Sequence, residues 1–230
     1  KKGYQIPEAS RTAKGTHLNN IFQFEPGERV TAMLHGRDYD ENGYLFMVTR
    51  QGTVKRLAVS ALKNIRASGI RALTLDEGDE LVCVLETDGA QKVLVATHDG
   101  MAVCFDEQDV RPMGRDAAGV RGIALDADDY VVGAGIAAEG KQLLTVTENG
   151  YGKRTEIEEY LRLGEDGARH PQQRGGKGLK NYNLTAKTGL VAGVAIVEDG
   201  EDVMLVENGG GGSSVAGGVA AKVLDVIVNG

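Results

Sequence analysis

Short apolar runs alternate along the chain with short polar segments that hold most of its turn residues. Many of these runs are rich in Val and other residues that favour strands. No apolar pattern at helical spacing extends beyond two turns. The pattern therefore predicts an all-β protein of short strands joined by tight turns.

The clearest strands occur in pairs around a turn glycine, and this hairpin unit is repeated about every 50 residues. Asp99-Gly100 and Asn149-Gly150 are strong hairpin turns, because both residues of each pair tolerate positive φ. The four copies are LFMVTRQGTVKRLAV from Leu45, VLVATHDGMAVCF from Val93, LLTVTENGYGKRTEI from Leu143 and a degraded VMLVENGGGG from Val203, with turn glycines Gly52, Gly100, Gly150 and Gly209.

A second unit follows each hairpin and consists of Arg, three variable residues, Gly and an alternating apolar stretch. Its copies begin at Arg11, Arg115 and Arg174, and a copy at Arg66 is one residue shorter. Because two sub-patterns repeat in phase, each period carries about four strands. This predicts propeller-like blades of about 50 residues, in preference to an irregular β-sandwich of short hairpins.

We expect residues 1–230 to form one such domain of five to six blades, the terminal ones incomplete. The predicted blade repeats lie near 11–60, 66–110, 115–160 and 174–214, with partial ones at 1–10 and 215–230. The first residues include neither an initiator Met nor an apolar signal core, so we expect a piece of a longer protein. No apolar run approaches the roughly 18 residues of a membrane-spanning helix, so no membrane association is expected.

The net charge is −7, from 26 basic and 33 acidic residues, which taken alone argues against nucleic acid as a partner. The charges are, however, unevenly distributed. The segment from Gly167 to Lys187 contains no carboxylate, whereas the segment from Leu75 to Asp109 is strongly acidic. Binding responds to the local field, so an acidic chain can present a basic edge. Cys83 and Cys104 lie in apolar runs and are expected to be buried free thiols.

The strongest candidate site is the segment Gln172-Gln173-Arg174-Gly175-Gly176-Lys177-Gly178, which we call the box. Its glycines let the backbone approach a partner closely and expose its amides, between two cations. Such a loop suits contact with phosphate rather than with base edges. The alternative, a solvated basic turn, stays open at this stage.

Basic residues recur at equivalent positions of the other repeats, and a repeat fold would bring them to one edge of a disc. This basic rim suits the wrapping of a polyanion. The predicted DNA-binding residues are Gln172, Arg174, Gly175, Gly176, Lys177, Gly178, Lys180, Arg11, Lys14, Lys55, Arg56, Arg66, Arg71, Arg115, Arg121, Lys153 and Arg154.

No motif indicates catalysis, a metal or a cofactor in this chain. The Asp38-x-Asp40-x-Asn42-Gly43 segment has Thr49 where a calcium loop needs Glu. Gly178 follows Lys177, so the box is not a phosphate-binding P-loop. The four His residues lack metal spacing, and no nucleophile elbow is present.

Several stretches closely resemble the C-terminal domain of bacterial DNA gyrase A, over residues 1 to about 207. They are TENGYGKRT, VRPMGRDAAGVRGIAL, IPEASRTAKG and QQRGGKG. The family box reads Gln-Arg-Arg-Gly-Gly-Lys-Gly; this chain matches it from Gln172 to Gly178, except that Gln173 replaces the first Arg. The resemblance implies a β-pinwheel, a propeller-like disc of usually six blades that exchange strands.

The resemblance also implies a function, which is to bind, bend and wrap duplex DNA without sequence specificity. This wrapping supports ATP-dependent negative supercoiling in the cytoplasm, at the nucleoid. Catalysis and ATP hydrolysis belong to the rest of gyrase A and to gyrase B, so the domain itself is expected to be non-catalytic and to need no cofactor. The alternatives are the equivalent domain of topoisomerase IV and a propeller-type protein-interaction scaffold.

Two departures from the family pattern qualify this expectation. This copy follows NGYGKRT, so it resembles the variant box of a late blade, and the principal box of the family, in the first blade, is expected upstream of residue 1. The tail carries GGGGSSVAGGVAAKV, with Ser214 at a position where the family has Arg.

Overall fold

The computed structural model describes residues 6–17, 20–24, 28, 30–32, 34, 42–63, 69–207 and 224–229. Its strands are β1 (Tyr44–Thr49), β2 (Thr53–Ala58), β3 (Leu81–Thr87), β4 (Lys92–Thr97), β5 (Met101–Asp106), β6 (Val120–Arg121), β7 (Val131–Ile136), β8 (Gln142–Thr147), β9 (Gly152–Glu156), β10 (Arg162–Leu163), β11 (Arg169–His170), β12 (Leu179–Lys180), β13 (Val191–Val197), β14 (Asp202–Glu207) and β15 (Leu224–Asn229). Short 3-10 helices span Val59–Leu62, Glu107–Asp109 and Ile157–Tyr160. No helix in these described ranges is long and apolar enough to cross a membrane. The predicted all-β fold is confirmed.

The three predicted hairpins around Gly52, Gly100 and Gly150 are present, and they share one turn chemistry. Each turn glycine has positive φ, between 76° and 80°, and its amide donates to the carbonyl of the Thr that ends the first strand. The hydroxyl of the same Thr accepts a hydrogen bond from the backbone amide four residues later, where the returning strand starts. Local sequence therefore fixes these turns.

The outer strand of each complete sheet comes from a later part of the chain. The first sheet has the order β3-β1-β2-β6 and the second has the order β12-β5-β4-β7. β6 and β12 are the segments that follow Arg115 and Arg174, and each pairs with the hairpin one repeat before its own. This exchange of strands ties neighbouring sheets together. In the third sheet, β13-β8-β9, three strands are described.

The second sheet lies between the first and the third and is apolar on both faces. Val93, Val95 and Phe105 face the first sheet, where Phe105 meets Phe46 with ring centroids 6.1 Å apart. Leu94 lies on the opposite face of β4, in a second core that the third sheet shares. Alternate residues of one strand therefore enter two different cores, which explains continuous apolar runs such as VLVA.

Two predicted regions differ from expectation or lie outside the described residues. The described part of residues 6–34 contains no strand, although the unit at Arg11 repeats the pattern that forms β6 and β12. Those two strands each pair with the hairpin of the repeat before, and residues 1–10 carry no hairpin pattern. Arg66, the turn at Gly209 and Ser214 lie outside the described residues.

Candidate nucleic-acid interface

β6 and β12 place basic side chains at the outer edge of neighbouring sheets. Of the opposite edge strands, β7 contacts both β3 and β13, so β6 and β12 face outward. Arg121 ends β6 and Lys180 ends β12, and both are exposed. The outer edge therefore carries one cation from each exchanged strand.

The box lies against the segment that carries Arg121. The amide of Gly175 donates to the Gly122 carbonyl at 2.7 Å, and the Gly176 carbonyl accepts the Ala124 amide at 3.0 Å. These bonds run between exchanged segments of adjacent sheets. They bring Arg121, Arg174, Lys177 and Lys180 onto one surface, which we call the outer-edge cluster.

Two box glycines are required by the fold, whereas the third is not. Gly175 and Gly178 have φ of +83° and +79°, and a side chain at Gly178 would collide with the Ala102 carbonyl. Gly119, the equivalent residue before β6, meets the Val54 carbonyl in the same way. Gly176 has neither positive φ nor a close neighbour, since the nearest atom to a Cβ there would be the Gln173 carbonyl oxygen at 3.7 Å. Gly176 is therefore the box glycine that is open to a ligand.

The box cations are held in place by the protein. Arg174 is half-buried, and its guanidinium donates to the backbone carbonyls of Asp109 and Arg121. Lys177 is exposed and pairs with Asp126 at 2.5 Å. The carbonyl contacts orient the Arg174 guanidinium without neutralising it, so it keeps its full positive charge for an incoming anion.

Beside the box lies a shallow cleft of about 340 Å³. It is lined by Arg162, Gln172, Gln173, Arg174, Gly175, Gly176 and Gly178. None of these described lining residues is a carboxylate. The cleft therefore places two guanidinium groups beside glycine backbone, a chemistry that favours phosphate.

Three predicted contact residues lie in the interior, so for their side chains the prediction is wrong. Gln172 is 4% exposed and donates to the Tyr160 carbonyl at 2.9 Å. Arg56 is 6% exposed and lies 3.6 Å from the buried Glu107 carboxylate and above the Tyr44 ring. Lys55 is fully buried. These polar groups satisfy interior partners, and they are not available to a ligand.

The buried Lys55 ammonium binds three carbonyl oxygens, those of Ala72, Arg115 and Ala117, at 2.7–2.8 Å. Burial lowers the pKa of Lys55, and the charge of Asp116 partly opposes that shift. Lys55 therefore fastens the segment that leads into β6. Lys153 has the equivalent position in the third sheet, where it is exposed and lies 5.3 Å from the Tyr182 ring.

The remaining predicted residues are at the surface. Arg115 precedes β6, and Arg154 pairs with Asp199 at 2.8 Å. Arg71 follows a stretch outside the described residues, and Arg11 and Lys14 lie in the strand-free N-terminal part. The structure does not join these residues to the outer-edge cluster by any described contact.

Sequence reasoning missed Arg162, which lines the cleft from the β10–β11 hairpin. The sequence does indicate an added segment at this place. In the second repeat Val110 is followed directly by Arg111-Pro112, whereas in the third repeat nine residues, 161–169, separate the equivalent Tyr160 from His170-Pro171.

The described residues contain no cluster of His, Cys, Asp or Glu that could hold a metal ion. Cys104 is buried and Cys83 is half-buried, both as free thiols. Burial raises the pKa of Cys83 to about 11 and that of Cys104 to about 12. Both thiols are therefore protonated at neutral pH and are poor nucleophiles.

Comparison with known proteins relates this chain to one group. It is 45% identical over 207 residues to the DNA gyrase A protein of Clostridium acetobutylicum, which covers 90% of the chain and 24% of that relative. It is 41% identical over 209 residues to the DNA gyrase A protein of Salmonella typhimurium, covering 91% of the chain and 23% of the relative. The chain thus spans about a quarter of the length of these relatives.

Two solved structures share the fold. The C-terminal domain of DNA topoisomerase IV matches with a TM-score of 0.75 and 25% identity, over 93% of this chain and 60% of that one. A DNA gyrase A C-terminal domain matches with a TM-score of 0.73 and 22% identity, over 94% and 65%. The family model for the DNA gyrase C-terminal domain, a beta-propeller, matches residues 2–35, 43–85, 91–138, 141–165 and 171–198. The chain belongs to the family of DNA gyrase A C-terminal domains.

Proposed function

We propose that this domain binds duplex DNA through phosphate contacts on its outer edge and bends it, as the wrapping domain of a DNA gyrase. The observation that carries the proposal is the outer-edge cluster, in which exchanged segments of two sheets bring four cations together. Arg174 of this cluster lines a cleft that has no carboxylate in its lining, and Lys177 is paired with Asp126. Family membership supports the same conclusion, because the relatives are components of DNA gyrase.

The cluster suits a sequence-independent contact. The guanidinium of Arg174 is held by backbone carbonyls, and the open backbone at Gly176 leaves room for a phosphate beside it. Contacts of this kind fix the position of a duplex without reading its bases. The first and second sheets both carry such groups on their outer strands, and a duplex that contacts both is bent in this proposal, at an elastic cost that the added contacts offset.

The proposal extends to the whole enzyme. The domain acts as a non-catalytic part of an ATP-dependent topoisomerase and needs no cofactor of its own. Residues 1–230 form a single wrapping domain, joined in the cytoplasm to the rest of gyrase A and, through the holoenzyme, to gyrase B. The similarity to a topoisomerase IV domain supports a second candidate, a weaker wrapping role in that enzyme.

The test is the double variant Arg174→Ala/Lys177→Ala, measured by fluorescence anisotropy on a short duplex. Removing two phosphate contacts should weaken binding by about tenfold for every sequence and make the slope of log affinity against log salt shallower by about 2. The matched control is Lys92→Ala/Lys141→Ala, which removes the same charge from residues outside the cluster. It should bind almost as the parent does.

A double variant that binds like the parent would show that the box is a structural turn and that DNA takes another path. A parent chain with no affinity for DNA, combined with specific capture of a protein, would favour the interaction-scaffold alternative.

A further inference from the structure

The β10–β11 hairpin is an addition to the repeat, and it lies next to the box. Residues 161–169 have no counterpart in the second repeat, where Val110 leads directly into Arg111. The family model matches residues 161–165, Arg162 among them, and residues 166–170 lie between two of its matched segments. The hairpin is therefore an element that the second repeat folds without.

The addition is an ordered element. Arg162 pairs with His170 and Leu163 pairs with Arg169 across the two strands, and the Gly164 amide donates to the Ala168 carbonyl at 2.7 Å. Asp166 closes the turn by accepting the Ala168 amide and by bonding the His170 ring. These contacts lower the pKa of Asp166, so the tip stays negatively charged. The tip is thus unsuited to phosphate, and the base of the hairpin is the part beside the cleft.

The two arginines of the hairpin face opposite ways. Cross-strand partners share a face, so Arg162 and His170 lie on one face and Leu163 and Arg169 on the other. Arg169 is committed to the protein, donating to the Glu158 carbonyl and pairing with Glu159 at 3.1 Å. Arg162 is exposed, lines the cleft and has no side-chain hydrogen bond or ion pair with any described residue.

We propose that Arg162 is a DNA-contact residue and that the hairpin serves as a second wall of the phosphate site, opposite the box. The inference rests on the proposed function and adds a residue and an element to it. A phosphate in the cleft would lie between the guanidinium groups of Arg162 and Arg174, with the open backbone of Gly176 beside them. Two guanidinium groups from separate elements favour a phosphodiester that runs through the cleft.

The test compares Arg162→Ala with Arg169→Ala in the 230-residue chain, on a short duplex at several salt concentrations. Both variants lose one positive charge from the same hairpin, so a long-range effect of charge would be equal in the two. We expect Arg162→Ala to weaken binding about three- to fivefold and to make the salt slope shallower by about 1. Arg169→Ala should change affinity by less than about 1.5-fold, and Arg162→Lys should retain the parent's slope.

A second variant removes residues 161–169 and joins Tyr160 to His170, which is the connection found in the second repeat. It should melt like the parent and bind DNA as Arg162→Ala does. Equal effects of Arg162→Ala and Arg169→Ala, or a deletion that binds like the parent, would overturn the inference. The box double variant separates the two proposals. If it weakens binding while the hairpin variants do not, only the role of the hairpin fails.

Discussion

The glycines of the box serve two different purposes, and the structure assigns each one. Gly178 must approach the Ala102 carbonyl so that β12 can join the second sheet, and its φ is +79°. Gly176 has no such requirement. A sequence in which both are simply Gly cannot reveal this difference, because the close approach depends on a strand from the preceding repeat.

This difference gives a prediction for a matched pair of variants. Gly178→Ala should lower the free energy of unfolding by more than about 2 kcal/mol, because the new Cβ meets backbone in a positive-φ conformation. Gly176→Ala should leave the melting temperature almost unchanged but weaken DNA binding, because the methyl group occupies the approach to the cleft. Thermal melting and anisotropy measured on both variants check the pair. Equal melting temperatures for the two variants would contradict the assignment.

Basic residues just after the hairpin turns show the limit of residue-level prediction. Lys55-Arg56 and Lys153-Arg154 occupy equivalent places in the repeat, and the sequence assigns all four to the rim. The structure buries the first pair and exposes the second. Their different environments arise because a segment from the next repeat covers Lys55, and this long-range contact leaves no mark in the local pattern.

At the scale of the element, the exchanged outer strands are the main feature of the fold. β6 and β12 have two residues each, too few to be held by ladder hydrogen bonds alone. Lys55 on β2 supplies a further attachment for β6, because its ammonium binds the carbonyls of Arg115 and Ala117, which precede that strand. Oriented backbone dipoles thus stabilise a buried cation, and the charge of Asp116 adds to them.

We predict that Lys55→Met lowers the free energy of unfolding by about 2–4 kcal/mol, because it leaves three buried carbonyls without a donor. Lys153→Met, at the equivalent exposed position, should cost less than about 0.5 kcal/mol. Chemical denaturation of both variants gives the comparison. A Lys55→Met chain as stable as the parent would show that the ammonium does not fasten the strand.

The contribution of Lys55 to stability should also depend on pH. Burial lowers the pKa of Lys55 below its ordinary 10.5, so between the two values the unfolded chain holds a proton that the folded chain has released. Stability rises with pH where the unfolded state binds more protons. The stability of the parent relative to Lys55→Met should therefore grow as the pH rises toward 10.5. Denaturation of both chains at a series of alkaline pH values measures this difference, and a constant difference would contradict the lowered pKa.

Hairpins and their repetition could be predicted from sequence, but the partners of the outer strands could not. Asp99-Gly100 and Asn149-Gly150 encode their turns locally, and the structure confirms both. The pairing of Leu179 with Ala102 spans most of two repeats, and short-range patterns carry no information on it. The cleft was missed for another reason: its lining lies within residues 162–178, and the β10–β11 hairpin that forms one wall interrupts the repeat pattern.

At the scale of the molecule, an acidic chain presents a basic edge because its acidic and basic groups gather in neighbouring but distinct places, which meet at the Asp126–Lys177 ion pair. Carboxylates gather near the hairpin turns, where Asp99 lies close to Asp126, Asp128 and Asp129. Burial, followed by repulsion from these neighbours, raises the pKa of Asp99. The cations of the outer-edge cluster lie on the exchanged strands and the box. The net charge of −7 thus says little about the field that a duplex meets.

This separation of charge leads to a prediction about salt. If DNA follows the outer edge and contacts roughly four to eight phosphates, log affinity should fall linearly with log salt, with a slope on the order of −4 to −7. Duplexes of different sequence should give the same slope, because the contacts are to the backbone. The measurement is a set of anisotropy titrations across several salt concentrations. Binding that is flat with salt, or that strongly prefers one sequence, would mean that the acidic surface dominates and that the edge does not wrap DNA.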